Sequence, residues 1–388
     1  MYGLLPLPWW GYLIVILTFT QLTIFSVTLY LHRCQAHRSL ELHPLVSHFF
    51  RFWLWLTTGM ITKEWAAIHR KHHAKVETAE DPHSPQTRGI KKVFFEGAEL
   101  YREAAKDKSI PAKYGQGTPE DWIERNLYGR YNTAGLVLMA IIDICCFGLV
   151  GVTIWAIQMA WIPFFAAGVV NGLGHFWGYR NYESKDASRN LFPIGFFIGG
   201  EELHNNHHAY ATSAKFSSKW WEFDIGWLAI QILSFFRLAK AKRTIPKITT
   251  CNQKNRIDAE TIRAVIHYRL QLLANYKTDV LVPALKAEKK RAGKHSKVIL
   301  QKAKALLSRD RYALSTTQQK KLQVILDESQ LLNDIYEYRL RLQAIWNKHT
   351  ASSKELMHDL QEWCKQAEAT GIDALFKFSQ RLRHCVLA

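Results

Sequence analysis

The sequence predicts an all-α protein: an integral-membrane helical bundle with a histidine-rich cap on its cytoplasmic side and a soluble helical extension at the C-terminus. Three observations carry this. Nearly uncharged stretches long enough to cross a bilayer occur at residues 9–31 and within 134–174. Histidines gather in three clusters, each at the end of an apolar stretch. Hydrophobic residues make up 48% of the 388, yet mean hydropathy is only −0.15, so an apolar part must be averaged with a strongly charged one. The composition changes near residue 250, which gives expected domains of 1–250, embedded in the membrane, and 251–388, a basic extension.

Taken in order, residues 9–31 form the first expected span, with Trp9 and Trp10 where an interfacial aromatic belt would place them. Arg33 and Arg38 follow its other end and nothing basic precedes Trp9, so the positive-inside rule puts that end in the cytoplasm. Residues 45–62 are apolar but carry His48 and Arg51, and a central Arg costs about 2.5–3.5 kcal/mol on insertion scales. A full crossing here would also leave His37 and His69 on opposite faces. The segment is therefore expected to be re-entrant or interfacial, with Arg51 turned to headgroups or protein. Residues 74–132 are polar and form an insert on the cytoplasmic side. Two spans, 134–152 and 154–174, are expected around a tight turn near Gly148 to Gly151, with Asp143 making a polar contact between helices. Residues 225–236 read as an interfacial helix followed by Arg237, Lys240, Lys242 and Arg243. Beyond residue 251, Ile262, Val265, Ile266, Leu270 and Leu273, then Leu322, Ile325, Leu326, Leu331 and Leu332, recur at helical spacing, and Lys286 to Lys302 is very basic. That pattern says soluble helical bundle and assigns no role.

The net charge of +18 favours acidic partners such as lipid headgroups or phosphorylated substrates. No phosphate-binding loop, zinc-finger spacing or RNA-recognition segment supports nucleic acid, which is not an expected partner. Six cysteines without a C-x-x-C pair read as thiols in a reducing compartment.

The chemistry lies in the histidines. His69-Arg70-Lys71-His72-His73 and His204-Asn205-Asn206-His207-His208 share the form H-x-x-H-H, and neutral imidazole is the commonest side-chain ligand for transition metals. On a helix each triplet can present three nitrogens towards one point. His32 and His37 differ, because five residues turn a regular helix by about 500° and leave them about 140° apart. Either the helix ends between them or they reach two metals. Asn171 and His175 form a further pair at the end of the expected hairpin. Nine candidate imidazoles (His32, His37, His69, His72, His73, His175, His204, His207 and His208) exceed the four of a zinc site and suit two octahedral-leaning irons with positions left for oxygen. Glu201 and Glu202 flank the last triplet and are expected to orient ligands. His43, His48 and His83 are weaker candidates, and the histidines beyond residue 251 are isolated.

These elements together carry a resemblance. His32-Arg33 with Ala36-His37-Arg38, Trp65 with His69 to His73, Asp81-Pro82-His83, Asn171 with His175 to Arg180, and Gly200 to His208 occur in the order found in integral-membrane acyl-CoA Δ9 desaturases, the stearoyl-CoA desaturase family. The chain resembles a bacterial type of that family, over residues 10 to 245, with a C-terminal extension. The resemblance implies a di-iron centre held by the nine histidines, Asn171 reaching one iron through water, and Trp65 lining a bent acyl tunnel. It implies O₂ as co-substrate and a cis double bond, at Δ9, in a long-chain acyl group expected to arrive as acyl-CoA or an acyl lipid. Arg180, Arg189, Lys240, Lys242 and Arg243 are the expected contacts for CoA phosphates or headgroups. Animal members have two spans before the first box, where this chain has room for one. No His-Pro-Gly-Gly haem motif is present, so electrons are expected from a separate ferredoxin- or cytochrome-type protein. The expected location is a prokaryotic inner membrane, with the site on its cytoplasmic side. The competing readings are a membrane hydroxylase of a lipid, alkane or carotenoid, and a membrane metal-binding or transport protein.

Overall fold

A computed structural model describes residues 3–387 except 255, 292, 294–299, 301–302, 311–313 and 349. It contains two units, residues 1–245 and 246–388.

In the first unit the opening apolar stretch forms one continuous helix, α1, from Trp9 to Ala36. It is α-helical over Trp9–Phe25 and π-helical over Ser26–Ala36. His37 closes it, its amide bonding the carbonyl of His32 at 3.0 Å. The helix does not break between the two histidines, and they do not part to two metals, since both lie in one group. Instead, the hydrogen-bonded repeat of a π-helix is five residues, so His37 lies one turn above His32 and both face the same way.

Helix α2 (Pro44–Thr57) has 14 residues and opens on Pro44 behind His43, whose ring accepts from the amide of Leu45. Arg51 turns to protein rather than headgroups: it holds Asp121 at 2.6 Å and Glu124 at 2.8 Å. Helix α3 (Thr62–Lys75) carries the second histidine cluster. The polar insert that follows is itself helical, and its longest piece, α4 (Gly97–Lys106), packs so closely on the later span that a Cβ at Gly97 would stand 2.8 Å from that of Ala167.

The apolar hairpin departs from its expected lengths. Helix α5 covers only Ala134–Phe147, about 21 Å of rise. The turn comes at Gly148, whose φ of +62° suits glycine. Residues 4 and 5 cap the carbonyls of Cys145 and Cys146, at 2.9 and 2.8 Å, where a longer helix would have continued. Helix α6 then runs Leu149–His175, including π-helical Pro163–Val170. A Cβ at Gly151 would lie 2.1 Å from the carbonyl of Asp143, so the two helices meet backbone to backbone. Asp143 accepts from Gln158 at 2.8 Å, the expected interhelical contact. Thus α1 and α6 are the described helices long and apolar enough to cross a membrane, and α5 and the later α8 (Ile225–Phe235) are shorter apolar ones. The third cluster sits on the short helix α7 (His204–Ala209).

Not everything is helical. Short strand pairs join β1 (Leu40–Leu42) to β4 (Ala239–Ala241) antiparallel and β2 (Ile194–Gly195) to β3 (Phe223–Asp224) in parallel. They pin the exit of α1 and the approach to α7 from chain far away in sequence.

In the second unit, β5 (Thr249–Thr250) pairs with β6 (Cys385–Val386), and its other described elements are helices. Capping boxes at Asp258, Ser315 and Ser352 start three of the helices. Trp363, Tyr276, Leu332 and Phe378 are fully enclosed in its core. Of the helical pattern read from sequence, Ile262, Val265, Leu273, Leu322, Ile325, Leu326 and Leu332 are buried. Lys294, Lys297 and Lys302 of the basic run lie outside the described residues.

Candidate metal centre

The nine imidazoles named from the sequence converge. They do so as two groups: His32, His37, His69, His73 and His207 form one, and His72, His175, His204 and His208 the other, the ligand atoms of each lying within 4.8 Å of one another. Neither triplet points at one place. On α3, His69 and His73 are four residues apart and share a face, while His72 turns to the second group. On α7 the arrangement is reversed: His204 and His208 face the second group and His207 the first. Each helix therefore feeds both groups, which corrects the expectation of one focus per triplet.

Within the groups Nε2 faces Nε2. His32 and His207 approach to 3.0 Å, His37 and His69 to 2.8 Å, His207 and His73 to 3.0 Å, and His204 and His175 to 3.0 Å. A metal–imidazole bond of about 2.1 Å puts ligands at right angles about 3.0 Å apart, and ligands at tetrahedral angles about 3.4 Å apart. The spacing matches octahedral edges. The Nε2 atoms of His72 and His208 are buried with no hydrogen-bond partner, a state that costs free energy unless something accepts the lone pair. The donor set thus fits two metal ions.

The charge around the rings agrees. Burial, reinforced by neighbouring imidazoles, holds His69, His73, His204 and His207 well below the 6.5 of a free imidazole, in the neutral form that metal binding requires. Burial also takes His208 down to about 4, against the pull of Asp186.

Four rings are oriented from behind by carboxylates. Glu201 meets Nδ1 of His32 at 2.7 Å, Asp81 that of His72 at 3.0 Å, Glu77 that of His175 at 3.4 Å and Asp186 that of His208 at 3.1 Å. Such partners fix the tautomer and raise ligand basicity. Burial works against ionisation of Asp81, but the hydrogen bond and charge of His72 outweigh it and hold the carboxyl far below the carboxylate range. Asp186 is held low in the same way by His208. Glu201 was legible beside the third cluster. Asp81 stood in Asp-Pro-His without a role, and no spacing signal marked Glu77 or Asp186. Glu202 is a correction: it touches no histidine, and its carboxylate accepts from the amides of Phe197, Ile198 and Gly200 at 2.7, 2.9 and 3.2 Å. Burial pushes it up to about 7 in spite of those donors.

His83 stacks on His72 with ring centroids 4.4 Å apart and lies with His72 and Asp81 in a third small cluster. It belongs to neither larger group. His43 is a helix cap and His48 lies near Tyr128.

A cavity of about 910 Å³ reaches the groups at His32, His69 and His204. Trp65, stacked on His69 at 5.1 Å, forms part of its wall, as do Asn171, Ala98 and Tyr101 from α4, and Trp155, Met159 and Ala166 from α6. Its size falls in the usual range of ligand pockets, about 300–1,000 Å³. The expected phosphate contacts fare less well. Arg180 is committed to the loop over residues 183–188, bonding the carbonyls of Ser184 and Asp186 and pairing with Glu183. Arg189 bonds the carbonyl of Gly178 and Lys242 pairs with Glu41 at 2.8 Å. Lys240, Arg237 and Arg243 are exposed.

Residues 7–237 match the family described as Fatty acid desaturase. The chain belongs to the fatty acid desaturase family. This desaturase is 32% identical over 233 residues to the sn-1 stearoyl-lipid 9-desaturase of Synechocystis, covering 59% of this chain and 70% of that protein. It is 28% identical to Delta-9 acyl-lipid desaturase 2 of Arabidopsis thaliana, over 64% of this chain and 78% of the relative. It is also 28% identical to the icosanoyl-CoA 5-desaturase of Limnanthes douglasii, over 61% and 65%. The desaturase is therefore an oxidoreductase whose histidine groups are consistent with the family's di-iron site. Its two long apolar helices and its family point to a membrane protein. Residues 273–386 match a second family, described as Transposase, so the C-terminal region is transposase-like in sequence. Among its described residues no cluster of three metal-ligating side chains occurs.

Proposed function

We propose that the protein inserts a cis double bond at Δ9 of a long-chain acyl group, using O₂ and two electrons from a separate donor protein. The balance is one methylene pair, O₂, two electrons and two protons giving one alkene and two waters. The observation that supports this most is the ending of an apolar cavity on both imidazole groups at once. Two irons held by the nine histidines would supply the oxygen activation that C–H cleavage requires.

The chain's own residues supply position. Glu201, Asp81, Glu77 and Asp186 hold four rings in one tautomer. Trp65, fixed by stacking on His69, sets where an acyl chain passes the groups, and the apolar wall from Trp155 to Ala166 keeps water away from it. Asn171 lines the same cavity and can hold a water beside the second group. The relatives are named for lipid-bound and CoA-bound substrates and for positions 9 and 5, so Δ9 rests on the family resemblance alone. Arg33 and Arg38 after α1 support the cytoplasmic side for the site, and the membrane is read as a prokaryotic inner one.

The test is oxygen-dependent conversion of labelled stearoyl-CoA and stearoyl phospholipid by iron-loaded protein with a ferredoxin system. The 9-monoene is the expected product. An alcohol without monoene would favour a hydroxylase, and no product from either substrate would remove the proposal.

A further inference from the structure

The segment between His175 and the third cluster exposes several large apolar side chains. Phe197 is 68% exposed, Ile194 58%, Trp177 55%, Phe192 53% and Phe196 47%. Trp177 and Phe192 pack with centroids 5.9 Å apart, and Ile194 pairs with Phe223 across β2–β3. A contiguous apolar patch of this kind marks an interaction surface.

Its place along α1 says what it meets. Gln21 donates to the carbonyl of Phe196 at 3.4 Å, and Gly199 lies so close to α1 that a Cβ would stand 2.7 Å from the Thr28 methyl. Residues 196–199 therefore run beside α1 between Gln21 and Thr28. Gln21 is twelve residues from Trp9, about 18 Å along a helix, inside a hydrocarbon layer of about 30 Å. Before Gln21 the outward face of α1 is Trp10, Ile14 and Leu17, all exposed. After it, the helix is covered and Phe196 and Phe197 are the outward apolar side chains.

Irregular backbone is tolerated at that depth only when its polar groups are satisfied within the protein. Here they are. The Glu202 carboxylate takes three amides of the segment. The carbonyl of Gly199 accepts from Thr28 at 3.3 Å and Arg33 at 3.2 Å, and Pro193 accepts from the amide of Phe223 at 2.9 Å. This accounts for a buried carboxylate that serves no histidine.

We propose that residues 192–199 form a wedge inserted into the bilayer leaflet nearest the histidine groups, with Phe196 and Phe197 among the acyl chains. The inference rests on the membrane reading of α1. The test places the photoreactive p-benzoylphenylalanine at Phe197, and separately at Phe196, in the full chain held in phosphatidylethanolamine/phosphatidylglycerol nanodiscs. Leu17 on the exposed face of α1 is the membrane control, and Glu120 on the polar insert is the control for non-specific labelling. After irradiation, tandem mass spectrometry of the peptides is expected to show acyl-chain adducts at 196 and 197 in yields within about threefold of that at 17, and none at 120. Adducts at 17 without adducts at 196 and 197 would overturn the wedge. Labelling at 120 equal to that at 197 would overturn it too. No adduct anywhere, 17 included, would overturn the membrane reading and the wedge with it.

Discussion

Asp81→Asn isolates what a carboxylate behind a histidine contributes. Asp81 is fully buried and accepts from Nδ1 of His72 at 3.0 Å and from the amides of Glu77 and His83 at 2.8 and 3.1 Å. Asparagine has the same shape, but its one acceptor oxygen can serve only one of the two amides, which bond different oxygens of Asp81, and it has no charge to set against His72. Loss of such a partner typically weakens metal affinity by about 10- to 100-fold, equivalent to about 1.4–2.8 kcal/mol. Of the two larger groups His72 belongs to the four-histidine one alone, so the loss falls on one metal of the pair. Dialysis against graded chelator, with iron per chain as readout, is expected to show one iron leaving the variant at about 10- to 100-fold lower chelator strength while the other stays. Asp143→Asn is the control, since that buried carboxylate bonds Gln158 and no histidine. Wild-type retention of both irons by Asp81→Asn, with unchanged helicity, would refute the orienting role.

His83→Ala is expected to keep both irons where His208→Ala keeps one, as measured by metal analysis of purified protein. Ala166→Trp fills the cavity away from the rings, so turnover should fall at least tenfold with iron content unchanged. Arg51→Ala leaves Glu124 buried beside a lost partner and is expected to cost about 3 kcal/mol in chemical unfolding, the low end for a broken buried pair because Asp121 is half exposed. In iron-free protein His69, His73, His204 and His207 sit well below 6.5. Below that pH the unfolded chain binds protons that the folded one refuses, so stability present above about pH 6.5 should fall as pH drops towards 5. A thermal midpoint flat across that window would contradict neutral, enclosed rings.

The histidines were legible because a metal site needs particular atoms and leaves them in the sequence. What was not legible is how helix geometry distributes them. A regular helix separates His32 from His37, and only the π-helical run over Ser26–Ala36 brings them together. Nothing in Ser26 to Ala36 announces that run, which forms where the chain packs against Glu201 and Arg33 bonds Asp224 at 3.0 Å. The carboxylates were hidden for a related reason. Glu77 and Asp186 reach their rings from loops joined to each other, the amide of Ala187 bonding Glu77 at 2.5 Å across 110 residues. Hydropathy overestimated α5, because apolar residues continue past Phe147 while glycine at Gly148 and the capping amides of residues 4 and 5 stop the helix. The polar insert was read only as cytoplasmic, yet its helix α4 forms one wall of the cavity. Arg180 was read as a phosphate or headgroup contact, but its guanidinium bonds the carbonyls of Ser184 and Asp186.

The central claim is that nine imidazoles divide five and four around two irons. Iron K-edge absorption on the purified full chain, with iron counted per chain, tests it most directly. The account predicts two irons per chain and a first shell dominated by nitrogen at about 2.1 Å. One iron per chain, or a shell dominated by carboxylate oxygen, would contradict it.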